Sequence, residues 1–308
     1  MLKSQIDNKK NDFTIVTTCE HIEKVYAVIE ASFKEYFDKL FGHDAKAVTS
    51  TFRNAFGKFR EESKKYIDFF DEDAIQEFLD DDPRAFKAAL QRECPIIHRC
   101  VYSQSEEMKD WKMIFRSSKS EELLDTFLNL MAFAKEYATN AESGNYSSID
   151  RWEDFNLASL DEDRRYRVPG VIGTGIKSTV LYHHYPHIFP IRGRSGLYSL
   201  YFLTDGRDFD LPSETSEFLM IHDTHSIDTS DPDAHNYKMY HNWQYPYDLF
   251  TSYAMKIFRL IAKELENLDI HVSERHRYIY VQKFFDSVNE LHYDHIRTML
   301  GELEVIDA

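Results

Sequence analysis

Residues 164–204 carry six Lys or Arg (Arg164, Arg165, Arg167, Lys177, Arg192, Arg194) and three His (His183, His184, His187), and no Asp or Glu. Acids number 53 of 308 residues, so a window of this length at average composition would hold roughly seven. A basic island in an acidic chain is chemistry for binding anions. Six charged side chains are too many to bury together without partners, so the island should present a surface. Its centre is Val168-Pro169-Gly170-Val171-Ile172-Gly173-Thr174-Gly175-Ile176-Lys177-Ser178-Thr179, running into apolar Val180 and Leu181. Glycines at a turn let a ligand approach the backbone closely, and the N–H groups of a helix start attract negative charge.

This run resembles the helix-hairpin-helix motif, in which a Gly-x-Gly turn between two short helices offers backbone N–H groups to a nucleic-acid phosphate and a following Lys assists. The resemblance implies that Gly173, Thr174, Gly175 and Lys177 take those roles, with Arg192 and Arg194 adding charge. The Pro-Gly hairpin, the Pro186–Pro190 loop and the next helix are similar to the DNA glycosylase branch of that family, over about residues 164–204. Where that branch carries a catalytic Asp downstream of the hairpin, this chain has Arg192-Gly193-Arg194, and the next acid is Asp205. The resemblance therefore implies DNA or RNA backbone as the partner, and no catalytic residue.

Other constellations are weaker. Gly170 and Gly175 with Lys177-Ser178 approximate a Walker loop, but Ile176 interrupts it and the preceding Asp161–Arg167 is too charged for the strand that must lead in. His222-Asp223 after Phe218–Ile221 is similar to the His-Asp pair of HD phosphohydrolases, whose imidazole and carboxylate ligands hold metals that activate water. An upstream His and Asp248 downstream complete that order. His225, His235 and His241 match no zinc spacing, and Cys94, His98 and Cys100 read as buried thiols beside a histidine. Arg92 and His98 form an Arg-x5-His pattern of the HEPN ribonuclease type, with Pro95 between them. No metal and no cofactor is implied.

The elements that must position these residues are helical. Gly and Pro number 10 and 8, about half of average usage, which disfavours an all-β fold. Thr17 with Glu20, and Ser118 with Glu121, read as capping boxes opening the series Val25, Ile29, Phe33, Phe37 and Leu124, Phe127, Leu128, Met131. The spacing predicts short helices over 178–185 and 195–203 around the Pro186–Pro190 loop, and long ones over 249–265 and 278–299. Thr204–Pro246 reads as irregular, with Phe218–Ile221 a strand or one helical turn. The expectation is an all-α protein of two helical lobes, 1–150 and 151–308, the second bearing the basic hairpin.

A net charge of −16 with 23 Phe and 19 Tyr describes a packed acidic body that repels polyanions at long range, so any phosphate site is local. An acidic surface also suits a protein partner, with the chain acting as an inhibitor or complex subunit. The acid runs Asp71–Asp73 and Asp80–Asp82 read as helix-start residues. With no apolar run able to span a membrane and three unpaired-looking cysteines, the expected location is the cytoplasm.

Overall fold

A computed structural model describes residues 9, 12–80, 82–105, 108–144, 146–225 and 235–301. It is 73% helical, with thirteen α-helices among the described residues and one two-stranded sheet. The chain is all-α, as composition and spacing predict. No helix of the described residues is long and apolar enough to cross a membrane.

The first half contributes α1 (Cys19–Phe41), α2 (Ala45–Phe69), α3 (Glu72–Asp80), α4 (Phe86–Glu93), α5 (Pro95–Tyr102), α6 (Met108–Ser117) and α7 (Ser120–Ser143). Val25, Ile29, Phe33 and Phe37 bury one face of α1, the stripe that a period of 3.6 dictates. Helix starts lie close to the predicted boxes, but the capping residues differ. Thr18, not Thr17, caps α1 by accepting the His21 N–H, while Thr17 donates to the Phe13 carbonyl. Lys119 precedes α7 without a side-chain cap, and Ser118 bonds back to Phe115. Asp44 caps α2 through the N–H groups of Lys46 and Ala47. Asp71 and Asp82 accept the N–H groups of Asp73 and Arg84, so those acids stand at turn starts; Asp81 lies outside the described residues.

The second half contributes α8 (Ser159–Glu162), α9 (Thr174–His184), α10 (Arg194–Leu203), α11 (Tyr247–Asn267), α12 (Arg277–Leu291) and α13 (Tyr293–Met299). The stretch expected to be irregular holds a hairpin instead: β1 (Leu219–His225) pairs antiparallel with β2 (His235–His241), from Leu219 opposite His241 to His225 opposite His235.

Helices α9 and α10 are the innermost. Nine of the eleven residues of α9 and seven of the ten of α10 are buried, because α9 packs on α2 and α10 is wedged among α1 and α12. Such helices are apolar on most sides and need their polar groups satisfied locally. The Thr179 hydroxyl donates to the Gly175 carbonyl at 2.7 Å and the Ser199 hydroxyl to Phe285 O at 3.0 Å. The boundary expected near residue 150 is not marked by a break in the core: one apolar cluster runs from Val16 to Met299, and α1 touches α10, α11 and α12.

Candidate functional site

The starts of α9 and α10 are built alike and lie side by side. Ahead of α9, Val171 N–H closes on Val168 O at 2.9 Å over Pro169-Gly170, with Gly170 at φ +73°. That is a tight turn in which the third residue must take a positive φ, which glycine does without strain. The chain then reaches Gly173, the N-cap of α9, which has no side chain to cap the helix. Gly193 is in the same position before α10. Two helix starts therefore leave their first N–H groups uncapped. Ser178 Oγ accepts the Arg192 N–H at 3.0 Å, and the Arg192 carbonyl comes within 3.7 Å of where a Cβ of Gly175 would stand.

Three hydrogen-bonded anchors fix this pair. Asp161 of α8 accepts the Thr174 hydroxyl on one oxygen and the Tyr247 N–H at 2.8 Å on the other, tying α8, α9 and α11 together. The Pro186–Pro190 loop is held by the Tyr247 hydroxyl on Pro190 O at 2.8 Å and by Tyr278 N–H on Pro186 O at 3.0 Å. Tyr247 and Tyr278 are buried and Asp161 is half-buried, so all three anchors sit within packed protein.

Both starts open on one cleft of about 1280 Å³, whose other walls come from α2, α5, α6, α12 and the end of β2. Gly173, Thr174, Gly175, Arg192, Gly193 and Arg194 line it. Arg194 is exposed there. Arg192 is only 5% exposed; its NH1 donates to the Trp243 carbonyl at 2.8 Å and more weakly to that of Asn242 at 3.4 Å, while its buried Nε has no partner among the described residues. Burial lowers its pKa, and Asp161 opposes that shift.

Lys177 departs from its expected role. It does not line the cleft, is 2% exposed and donates to the Leu160 carbonyl. Burial pushes its pKa down to about 8, against the pull of Asp161. Side chains tilt toward the helix N-terminus, so Lys177, the fourth residue after the Gly173 N-cap, points back over the preceding segment, which here is α8. The basic island is also less one-sided than its sequence. Arg165 pairs with Asp163 at 2.8 Å and His187 with Glu142 at 3.1 Å, acids that lie just outside the window or far from it. His183 is buried, stacked between Phe59 and Tyr66, with Nδ1 2.8 Å from Ser63 Oγ; desolvation brings its pKa down to about 3.

The cleft also takes residues that the sequence did not single out: Tyr182, Ser195, Trp243, Gln282 and Asp286. Asp286 is open to solvent, yet the surrounding protein raises its pKa by desolvation, partly offset by hydrogen bonds from Gln282 and Ser195. Nothing in the apolar series of α12 distinguishes it.

The other candidates separate. His222 and Asp223 fall on β1 rather than on a helix. Arg92 and His98 end up on α4 and α5, divided at Cys94. The segment before the Gly170 turn is helical turns, not the strand a Walker loop follows. Cys94 is buried and Cys100 half-buried, their thiols pushed up by burial to about 12 and about 11. Among the described residues no group of three or more His, Cys, Asp or Glu is placed to hold a metal ion. No protein-family model, curated protein or solved structure matches this chain.

Proposed function

We propose that the cleft binds the phosphate backbone of DNA or RNA, with the uncapped starts of α9 and α10 and the side chains of Arg192 and Arg194 as its anion-facing wall. What carries this reading is the convergence of two glycine-led helix starts on one cleft, beside the buried, unpartnered Nε of Arg192. An N–H group at a helix start gains a charge-assisted hydrogen bond from phosphate and the favourable end of the helix dipole. Two such starts double that effect without side-chain entropy cost. Lys177 acts behind this wall, fixing α9 to α8, rather than on the ligand.

The test is a titration of fluorescent oligonucleotides at several salt concentrations. If about three phosphates are neutralised, the logarithm of affinity falls against the logarithm of salt with a slope of about −3 on duplex and about −2 on single strands. Arg194→Glu should lower affinity about tenfold or more and flatten that slope, since the side chain is exposed and stability is little affected. Gly173→Val is the charge-neutral probe. A Cβ there meets nothing within 4 Å, so the protein folds while the side chain fills the space a phosphate needs. Absence of binding at low salt, or undiminished binding by folded Gly173→Val, sinks the reading.

A further inference from the structure

The cleft has a second polar cluster of opposite character. Gln282 and Asp286 stand one turn apart on α12, and Tyr182 of α9 lies close enough for its phenol to feel the charge of Asp286. Gln282 Nε2 donates to Asp286 Oδ1 at 2.8 Å and to Ser195 Oγ at 2.9 Å. Ser195 follows Arg194 in the first turn of α10, so the cluster is joined directly to the phosphate-facing wall. Both amide protons are used, leaving Gln282 only its carbonyl oxygen and Asp286 only carboxylate lone pairs for a ligand. What Gln282 and Asp286 have left to offer is acceptors, with the Lys283 ammonium beside them in the lining and acting on Asp286.

The cleft therefore offers an anion the helix starts and the exposed Arg194, and beside them the Gln282–Asp286 pair asks for adjacent donors. Trp243, 43% exposed, supplies an aromatic face in the lining, on which a flat ring stacks. A nucleotide combines the three features. Among the bases, guanine alone carries two neighbouring donors, N1–H and the N2 amine, on its pairing edge. Adenine and cytosine place an acceptor beside their amine, and uracil and thymine flank one N–H with carbonyls, so each would set lone pairs against lone pairs.

We propose that the cleft reads guanine in a phosphate-linked strand, with Asp286 and Gln282 accepting the N1–H and N2–H donors and the exposed Trp243 supporting the ring. The proposal rests on the phosphate reading, and it adds a specificity-determining residue, Asp286. It also gives a role to Asp286, one of three carboxylates in the lining with Glu62 and Glu290. Against a phosphate alone, Asp286 would be repulsive.

The experiment uses the full chain and thymidine 11-mers whose central residue is thymine, guanine, hypoxanthine, adenine or cytosine. Guanine should bind about tenfold or more tighter than thymine, the loss expected for an unpaired bidentate contact. Hypoxanthine, which lacks the N2 amine, should forfeit most of that gain. Asp286→Asn and Asp286→Ala should bring the guanine-to-thymine ratio close to one, while the thymidine strand itself, bound through phosphate, still reports a folded cleft. Equal affinity for all five strands, or a guanine preference that survives both variants, overturns the guanine assignment and leaves the phosphate site standing. Failure of every strand to bind at low salt removes the phosphate site as well. Competition by free GMP but not by IMP supports the same assignment from the mononucleotide side.

Discussion

Lys177 stands two residues beyond Gly175 in a run whose spacing puts a cation on a phosphate, yet it serves a carbonyl in the core. Its environment makes a prediction that separates the two roles. Lys177→Glu would set a carboxylate against the Leu160 carbonyl and near Asp161 with no donor, and should cost about 3–5 kcal/mol. Lys177→Met keeps the stem and drops the charge, and should leave stability equal or higher. The pH dependence has a definite sign. The folded pKa is about 8, below the unfolded value of about 10.4, so the unfolded chain holds more protons between those limits and stability rises with pH across them. The raised thiols of Cys94 and Cys100 oppose this above about pH 8.5 and the raised tyrosines above about pH 10, but both are common to the wild type and Lys177→Met and cancel in the comparison. Urea midpoints at pH 7.5, 8.5 and 9.5 should climb in the wild type relative to Lys177→Met. A parallel pair of curves would mean that Lys177 is solvated, as a phosphate ligand would be.

Helix α10 shows how tightly the elements behind the cleft are packed. A Cβ at Gly196 would stand 2.6 Å from Phe250 Cζ and 2.8 Å from Cε2, with Phe285 at 3.5 Å. Phe250 and Phe285 are fully buried, so the ring has nowhere to retreat. Gly196→Ala gains about 1 kcal/mol of helix propensity, but overpacking of this kind costs about 1–3 kcal/mol. Net destabilisation is expected, read as a lower thermal midpoint, together with weaker nucleic-acid binding because the start of α10 shifts. A more stable Gly196→Ala protein would show that α10 packs loosely. How much of this was legible in the sequence varies by element. The long helices and both short ones around the Pro186–Pro190 loop follow from apolar spacing, because each has a buried stripe or a buried run. The glycines, Arg192 and Arg194 were legible as a site because local backbone chemistry singles them out. Asp286 and Gln282 were not, because their partners come from α9 and α10, some ninety residues away in sequence, and no local pattern encodes a meeting of that kind. The hairpin was half legible: Phe218–Ile221 suggests a strand, but its pairing with 235–241 has no sharp signature.

At the scale of the molecule, desolvation holds one buried histidine, His183, and two half-buried ones, His184 and His241, in neutral form, and this fixes how the protein meets acid. Desolvation takes His183 and His241 down to about 3 and His184 down to about 4, with backbone bonding to Tyr66 opposing the last. Unfolded histidine titrates near 6.5. Between about pH 6.5 and 4 the unfolded chain therefore binds protons that the folded one refuses, and stability is lost as pH falls. Asp248 acts in the opposite direction. Burial raises its carboxyl to about 6, above the unfolded value near 3.9, so in that same window it holds a proton that the unfolded chain has released, and its contribution is lost as pH rises. Asp286, also raised by desolvation, joins Asp248, but His187, His276 and His292, lowered by desolvation, join the other three, so the histidines decide the sign. The net slope should be on the order of 2 kcal/mol per pH unit between pH 4 and 6, enough to use up a stability of about 5–15 kcal/mol within a few units. Thermal midpoints should drop steadily from pH 6.5 to 4. His241→Phe tests the assignment, because its Nδ1 has no partner among the described residues and its ring meets Tyr198 edge-on at 6.2 Å. A phenyl ring keeps that contact and cannot be protonated. The variant should be as stable as the wild type at pH 7 and more stable at pH 5, and an unchanged pH dependence would show that His241 titrates in contact with solvent in the cleft.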